Sequence, residues 1–489
     1  MDAEKLPTPL SGSENPSLKS QRDLDTTSQK SGTLIETNSF KKLRRNTTLA
    51  ISGQLQMFYV AHLVARDVIG PAQGGKLQEF NHLSDTQFEW TEAALYFPYA
   101  TLAVPLAFLF LRVSPRVFIG VEMFCWGLCI VLLGLCTNYA GLICDRAVMG
   151  ACMSFALPAL LHMIYEHHGR YEAHFVVGCV WGGSWFMVPL FTMLAIAIRL
   201  INAGKPGWSW DFFIAGLCSV VFAPVVWYML PENFYSPKWI SKYGEQAFNV
   251  FKTLTEEDYG GGNPIEPTET PLEGLISAAK DPLVWFISIL GFFTYSCLVS
   301  CYAQVQSATF EELEYTAALG QLIIWTILVF GVIWSSFQGY LVAQKKVLSP
   351  FLLMNYLFCI IGWALILCKP SEHNWWIKFG GGWFTIPNAT AAFASLCGWL
   401  GSNVQGRNKR LMSFAIFSSV SCWYGVLVLR VFTSTDGPLF KRGCWINMGF
   451  MIASVFGTLG IVFFLKRRRI SGTNHATISE TQKEFVYML

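Results

Sequence analysis

Residues 89–137 read EWTEAALYFPYATLAVPLAFLFLRVSPRVFIGVEMFCWGLCIVLLGLCT. Two apolar runs, 89–111 and 117–137, flank a short turn that carries Arg112 and Arg116. At 1.5 Å per residue, each run is long enough as a helix to cross the hydrocarbon layer of a bilayer, about 30 Å thick. The stretch therefore reads as two consecutive membrane spans joined by a basic loop.

Outward from this pair, further runs of this kind appear at approximately 47–65, 139–164, 173–199, 210–230, 283–303, 317–341, 350–368, 378–400, 411–432 and 445–465, twelve in all. The first is the most polar, with Ser52, Gln54, Gln56 and His62, and as a span it must turn that side to protein or to a wet cavity. Between the sixth and seventh runs lies one long polar stretch, Pro231 to Pro282, which divides the chain six plus six. The expected fold is all-α and integral to the membrane, twelve transmembrane helices in two packed six-helix halves joined by a linker that lets each half move as a unit. The expected parts are a disordered tail over 1–45, bundles over 46–230 and 283–466, a central loop over 231–282 and a second tail over 467–489.

Composition agrees: the 489 residues are 53% hydrophobic and only 14% charged, against about 25% charged in soluble globular chains. The net charge of +3 is too balanced for a nucleic-acid surface. The 14 cysteines sit mostly inside apolar runs without CxxC pairs and read as small core hydrophobes. Basic residues collect on one side under the twelve-span count: Lys41 to Arg45, Arg112 and Arg116, Lys345 and Lys346, Arg407 to Arg410, and Lys466 to Arg469. Lys and Arg accumulate on the cytoplasmic side, so both termini are expected there, with Lys441 and Arg442 running against the trend.

Local motifs narrow the class. LSDTQFEW at 83–90, VPLAFLFLRVSPRVFI at 104–119, FCWGL at 124–128, NYAGLICDRAVMGACMSFALP at 138–158, GWSWDFFIAG at 207–216, LPENFYSPKWIS at 230–241, WLGSNVQGRNKR at 399–410 and RVFTSTDGP at 430–438 follow one another in register. Together they resemble the fungal allantoate permease-like anion:cation symporters, a family with the major facilitator fold. The chain departs from that pattern in places. The family's Asp-Arg pair at the end of span one reads Ala65-Arg66-Asp67, and its acidic residue in span four is Met153. The resemblance implies proton symport, by alternating access, of a small organic anion such as a carboxylate, a vitamin-like acid or a ureide, with the plasma membrane as location. An exporter of a metabolite, which the missing acidic residues favour, and a non-transporting nutrient sensor signalling through the Ser/Thr-rich tail are the alternatives.

A charge inside a span is costly, so each one marks a candidate site. Arg146 holds the position of the family's span-four arginine, and its planar fork suits a carboxylate substrate. Arg430 on span eleven is a second candidate anion contact or a structural clasp. Gln304, Gln321, Trp181, Trp185, Asn388 and Asn403 are candidate cavity-lining groups, through ring packing and amide contacts. Asp145, Glu92 and Glu122 are candidates for proton coupling. Arg66 and Asp67 are further candidates for proton coupling or gating, at the end of span one, where Gly70 and Pro71 are expected to interrupt the helix.

Catalysis finds no candidates: GxSxG, phosphate-loop and metalloprotease patterns are missing. His162, His167, His168 and His174 cluster beside Glu166, but one such cluster falls short of a histidine-box metal site and reads as a pH-sensitive loop. The expectation is a carrier without metal or cofactor, whose partners are the anion, protons and the bilayer. Its oligomeric state is left open, and a monomer is compatible with the fold.

Overall fold

The computed structural model describes residues 49, 51–69, 77–198, 201, 204–230, 269–311, 317–368, 375–431, 440–473 and 488. The expected tail over 1–45, nearly all of the central loop and most of the tail over 467–489 lie outside this set.

The chain is a bundle of helices: α1 (51–67), α2 (Leu77–Phe80), α3 (Asp85–Phe110), α4 (Pro115–Leu133), α5 (Tyr139–Met153), α6 (Ala156–His167), α7 (Glu172–Ile198) and α8 (Gly207–Met229) make the first half. A surface helix, α9 (Pro271–Lys280), precedes the second half: α10 (Pro282–Glu311), α11 (Ala317–Lys345), α12 (Ser349–Cys368), α13 (Trp375–Asn403), α14 (Arg407–Cys422), α15 (Tyr424–Val431) and α16 (Lys441–Thr473). The end of the bundle where α1 begins and α16 finishes is called the tail face below, and the opposite end the far face.

Local chemistry sets the helix ends. Ser84 and Gln87 form a capping box at the start of α3, the Asn138 carboxamide accepts from Gly141 N at 2.7 Å at the start of α5, and Pro115 opens α4 where no amide hydrogen is needed. The fourth span is broken into α5 and α6. Pro158 has no N–H for the Ser154 carbonyl and its ring crowds that carbonyl, so the helix stops at Met153 and restarts at Ala156. Helix α9 was not expected inside the polar linker, although Thr270-Pro271-Leu272-Glu273 is a capping box with proline at the first helical position, a signal present in the sequence.

The helices are apolar on outward-facing sides, the reverse of a soluble protein. On α4 the side chains Val121, Phe124, Leu128 and Leu132 form an exposed stripe, while Met123, Trp126, Ile130 and Leu133 are buried. Among the described residues, ten helical segments are long and apolar enough to cross a membrane. The two remaining expected spans are helical as well, at 51–67 and Trp375–Asn403. Residues 385–404 are all buried, so this part of α13 has no lipid face to keep apolar and carries Thr385, Asn388, Thr390, Ser395 and Asn403 instead. Burial grades the spans: 78% of the apolar window in Tyr139–His167 is buried, against 28% in Lys441–Arg468, which puts the fourth span at the centre and the twelfth at the periphery.

The halves meet along α7 against α11 and α13, and along α3 and α6 against α14. Close approach needs small residues: a Cβ on Gly178 of α7 would lie 2.6 Å from the Ser335 carbonyl oxygen of α11.

Candidate functional site

The far-face ends of α1, α3, α5, α7, α10 and α15 enclose a cavity of about 250 Å³. Its charged lining is Arg66, Asp67, Glu92 and Arg146, and its aromatic lining is Tyr96, Trp185, Tyr302 and Tyr424, with Thr192 and Gln306 adding polar atoms. Four of the charged groups singled out in the sequence thus converge, although 80 residues separate Arg66 from Arg146.

The two arginines differ in how they are held. Arg66 donates twice to Asp67, from Nε to Oδ1 at 2.7 Å and from Nη2 to Oδ2 at 2.8 Å, and a third time to the Tyr295 hydroxyl. Its guanidinium also lies over the Trp185 ring at 5.4 Å and the Tyr295 ring at 5.6 Å. Asp67 therefore stands beside Arg66 where the sequence lacks an acid at Ala65. Arg146 is 1% exposed, yet its contacts are a 3.5 Å approach of Nη1 to the Arg66 carbonyl and a 3.8 Å approach to Met149 Sδ. Its Nε has no hydrogen-bond partner among the described residues. A buried guanidinium with unused donors is a ready anion site, because a carboxylate can supply the acceptors the protein withholds. Glu92 lines the same cavity within electrostatic reach of Arg146.

Tyrosines form the floor. Tyr424 donates to Tyr96 across the halves at 3.3 Å, and Tyr295 packs on Tyr424 with ring centroids 4.2 Å apart. Below, a second void of about 10 Å³, close to the size of one water, is lined by Tyr59, Tyr99 and Ser421 together with the floor residues Arg66, Tyr96, Tyr295 and Tyr424. Trp181 lies beneath, stacked on Phe393 at 4.3 Å across the halves. His62 is buried and meets Tyr99 Oη at 3.3 Å, so the polar side of the first span faces protein.

The tail face is closed by direct bonds between the halves. Tyr165 Oη donates to the Gly398 carbonyl at 2.7 Å, His174 Nε2 lies 2.8 Å from Ser402 Oγ, and Ser402 donates to the Arg170 carbonyl at 3.1 Å. Glu166 accepts from Arg407 Nε at 3.1 Å, with Arg410 at 3.8 Å. The cavity thus lies towards the far face, while the described residues of the tail face are bonded across the halves.

Other candidates lie elsewhere. Asp145 is turned about 100° round α5 from Arg146 and is not in the cavity lining. Glu122 sits at the break in span four, where its Oε1 accepts from Phe155 N at 3.2 Å. Gln304 is buried outside the lining, whereas Gln306 lines it. Asn388 donates to the Phe384 carbonyl at 2.8 Å within its own helix. Gln321 is buried at the start of α11, and Asn403 stands at the tail-face end of α13, far from the cavity. Arg430 belongs to α15, but its side chain is outside the described set. The four histidines are buried on and beside α6 and α7 rather than in the expected solvated loop: His167 and His168 each meet a carbonyl one turn earlier, at 2.8 and 2.9 Å, and His162 lies 3.8 Å from Glu166. Among the described residues no cluster has the makings of a metal site.

Sequence reading missed Tyr96, Tyr302, Tyr424 and Tyr295. A signal existed, since Glu92 and Tyr96 are one helical turn apart and Tyr295 and Tyr302 two turns apart, each pair on one face. In a chain with 15% aromatic residues that signal does not stand out.

Comparison with known proteins agrees with this architecture. The sequence profile of the Major Facilitator Superfamily matches residues 57–428. An uncharacterized transporter of Schizosaccharomyces pombe is 21% identical over 432 residues, covering 88% of this chain and 84% of its own. The high-affinity nicotinic acid transporter of Saccharomyces cerevisiae is 22% identical over 435 residues, covering 87% of this chain and 78% of its own. Among solved structures, the proton:xylose symporter XylE bound to 6-bromo-6-deoxy-D-glucose superposes with a TM-score of 0.66 at 13% identity, over 91% of this chain and 98% of its own. FucP in the outward conformation gives 0.58 at 13% identity, over 84% and 98%.

Proposed function

We propose that this chain, which belongs to the Major Facilitator Superfamily, carries a small organic anion across a membrane together with a proton, by alternating access. It is a multi-pass membrane transporter and not an enzyme. The observation that carries the anion reading is Arg146: a fully buried guanidinium, facing a solute-sized cavity, with donors that the protein leaves unused.

Charge balance supports coupling. Arg66 and Asp67 neutralise each other, which leaves Arg146 facing Glu92. A carboxylate bound at Arg146 adds a second negative charge to a low-dielectric cavity, and a proton on Glu92 restores neutrality. Anion and proton then travel as a neutral set, with Glu92 as the carrier and Asp67 fixing Arg66. Trp185, Tyr96, Tyr302 and Tyr424 supply ring faces, which suits a flat or ring-bearing acid. The nicotinic acid transporter among the relatives, and the likeness to the allantoate permease-like symporters, support vitamin-like acids or ureide carboxylates as the class. The basic loops support a cytoplasmic tail face, which makes the described state outward-open, with the plasma membrane as the expected site.

Uptake into proteoliposomes with an imposed pH gradient tests the reading, with nicotinate and allantoate as probes. Acid on the far-face side should accelerate accumulation, Arg146→Ala should abolish it, and Glu92→Gln should retain exchange while losing accumulation against a gradient. Uptake of both probes indifferent to the gradient would overturn the symport reading.

A further inference from the structure

The tail face of the second half holds a cavity that transport through the far-face site does not use. It measures about 620 Å³ and lies between α9, the start of α10 and the tail-face ends of α14 and α16. Its walls are of two kinds. Ile276 and Phe464 are apolar, while three acids, Glu269, Glu273 and Asp281, stand against three bases, Lys280, Lys409 and Arg468. The candidate spans Pro282–Gln306 and Lys441–Arg468 begin and end on this cavity, so it stands where the hydrocarbon layer gives way to headgroups.

The surrounding side chains fit that level. On α9, Leu272 and Ile276 are one turn apart and exposed, whereas Gly274 and Ala278 are buried, with a Cβ on Gly274 meeting Asn408 Cβ of α14 at 2.9 Å. The helix packs its small residues and turns its apolar ones out. Trp285, exposed at the start of α10, donates through Nε1 to the Ala279 carbonyl at 2.8 Å, an indole with its N–H satisfied and its ring outward, as in an interfacial aromatic belt. Along α16, Phe456, Leu459 and Phe463 are exposed on one side and lead up to Phe464 in the cavity wall.

The charges divide into a closed set and an open one. Asp281 accepts from Lys409 at 2.8 Å and from Arg468 at 3.3 Å, and these three hold one another. The open set is a stripe on α9: Glu269, Glu273, Ser277 and Lys280 follow at intervals of four, four and three residues, which is one face of a helix. Glu273 spends one oxygen on the Thr270 N–H, at 2.8 Å. Glu269 Oε2 is buried and has no hydrogen-bond partner among the described residues. An orphan carboxylate oxygen asks for an N–H donor, and a lysine beside a serine hydroxyl suits a phosphate. Glu273 and Ser277 are ~6 Å apart along the helix, the reach of a two-carbon bridge and its hydrogen bonds.

We propose that this cavity binds a phospholipid whose headgroup carries a primary ammonium, the ethanolamine class, with the ammonium at Glu269 and Glu273, the phosphate at Ser277 and Lys280, and the acyl chains along the exposed side of α16. Three acids against three bases make a neutral lining with its signs separated, which fits a zwitterion better than an anion. A quaternary ammonium has no N–H to give the carboxylates, so a choline headgroup fits less well. The site is independent of which solute is carried.

Native mass spectrometry of the detergent-solubilised full chain, with phosphatidylethanolamine, phosphatidylcholine and phosphatidylglycerol of identical acyl chains added in turn, tests it without any transport. The ethanolamine lipid should be retained at about 10-fold lower concentration than either of the others, the weight of one charge-assisted hydrogen bond. Glu269→Gln with Glu273→Gln should erase the preference over choline, and Lys280→Gln should weaken retention of both. Equal retention of the three lipids, preference for the glycerol lipid, or a preference unchanged in the double variant overturns the proposal. So does displacement of the lipid by an equal concentration of soluble glycerophosphoethanolamine, which would make the ligand a free headgroup. Lys280 is exposed, so its variant remains decisive should the double variant fail to fold.

Discussion

The far-face cavity and the tail-face seam are built from similar residues and do opposite things with them. At the seam, polar groups bond directly across the halves: buried Tyr165 to Gly398 and His174 to Ser402, and part-buried Arg407 to Glu166. In the cavity, Arg66 is held by Asp67 and Tyr295, whereas Arg146 Nε has no hydrogen-bond partner among the described residues, and Glu92 lines the void beside it. A matched set of buried groups specifies a closed contact, whereas an unmatched one stores a demand that a ligand can meet. The difference teaches that charge inside a span is read by its partners, not by its presence.

The largest expected effect breaks the contrast at Arg146. Arg146→Ala should lower uptake by about 100-fold or more, since a lost charged hydrogen-bond pair to a bound anion is worth roughly 2–5 kcal/mol, while thermal unfolding in detergent shifts little because few protein contacts are removed. A large fall in melting temperature would make Arg146 structural instead. Arg66 should behave in reverse. Asp67→Ala leaves a buried guanidinium short of its carboxylate and should cost about 3–5 kcal/mol of stability; a double-mutant cycle with Arg66→Leu should recover part of that loss.

Smaller changes sharpen the seam. Gly178→Val forces a side chain against the Ser335 carbonyl where α7 crosses α11, an overpacking expected to cost about 1–3 kcal/mol, measurable as a lower unfolding midpoint with slower turnover. Tyr165→Phe removes the donor to Gly398 and should shift the balance towards tail-face opening by about 1 kcal/mol, read as faster labelling of Cys397. The smallest effect concerns the surface clasp beside the second half, where Asp281 accepts from Lys409 at 2.8 Å and Arg468 at 3.3 Å. Burial alone would raise the Asp281 carboxyl, but the Lys409 hydrogen bond and the two positive charges hold it below the ordinary carboxylate value. A lowered native value stabilises the fold above the unfolded carboxyl's value of about 4, and that contribution is lost as pH falls further. The stability gap between the native chain and Asp281→Asn should therefore close in acid; a gap constant with pH would remove the clasp from the account.

Helix positions were legible in sequence because lipid imposes length and apolarity on each span, and the runs at 89–111 and 117–137 became α3 and α4 with small changes of boundary. Arg66, Asp67, Glu92 and Arg146 were also legible, since charge in an apolar run is rare. Their roles were not. Asp145 and Arg146 look equivalent in sequence, yet the turn of the helix sends only one into the cavity. Glu122, a candidate for proton coupling, is placed where it accepts from Phe155 N at the break in span four, and Asn403, a candidate cavity amide, stands at the tail-face end of α13.

Composition and periodicity by themselves settled that this chain crosses a membrane many times in two packed halves, because every span must satisfy its backbone internally and its surface in hydrocarbon. Tertiary structure alone decided which face is open, which arginine is unmatched and what holds the other face shut. Those outcomes depend on distances between residues far apart in the chain, and no local pattern encodes which of two buried charges meets its partner.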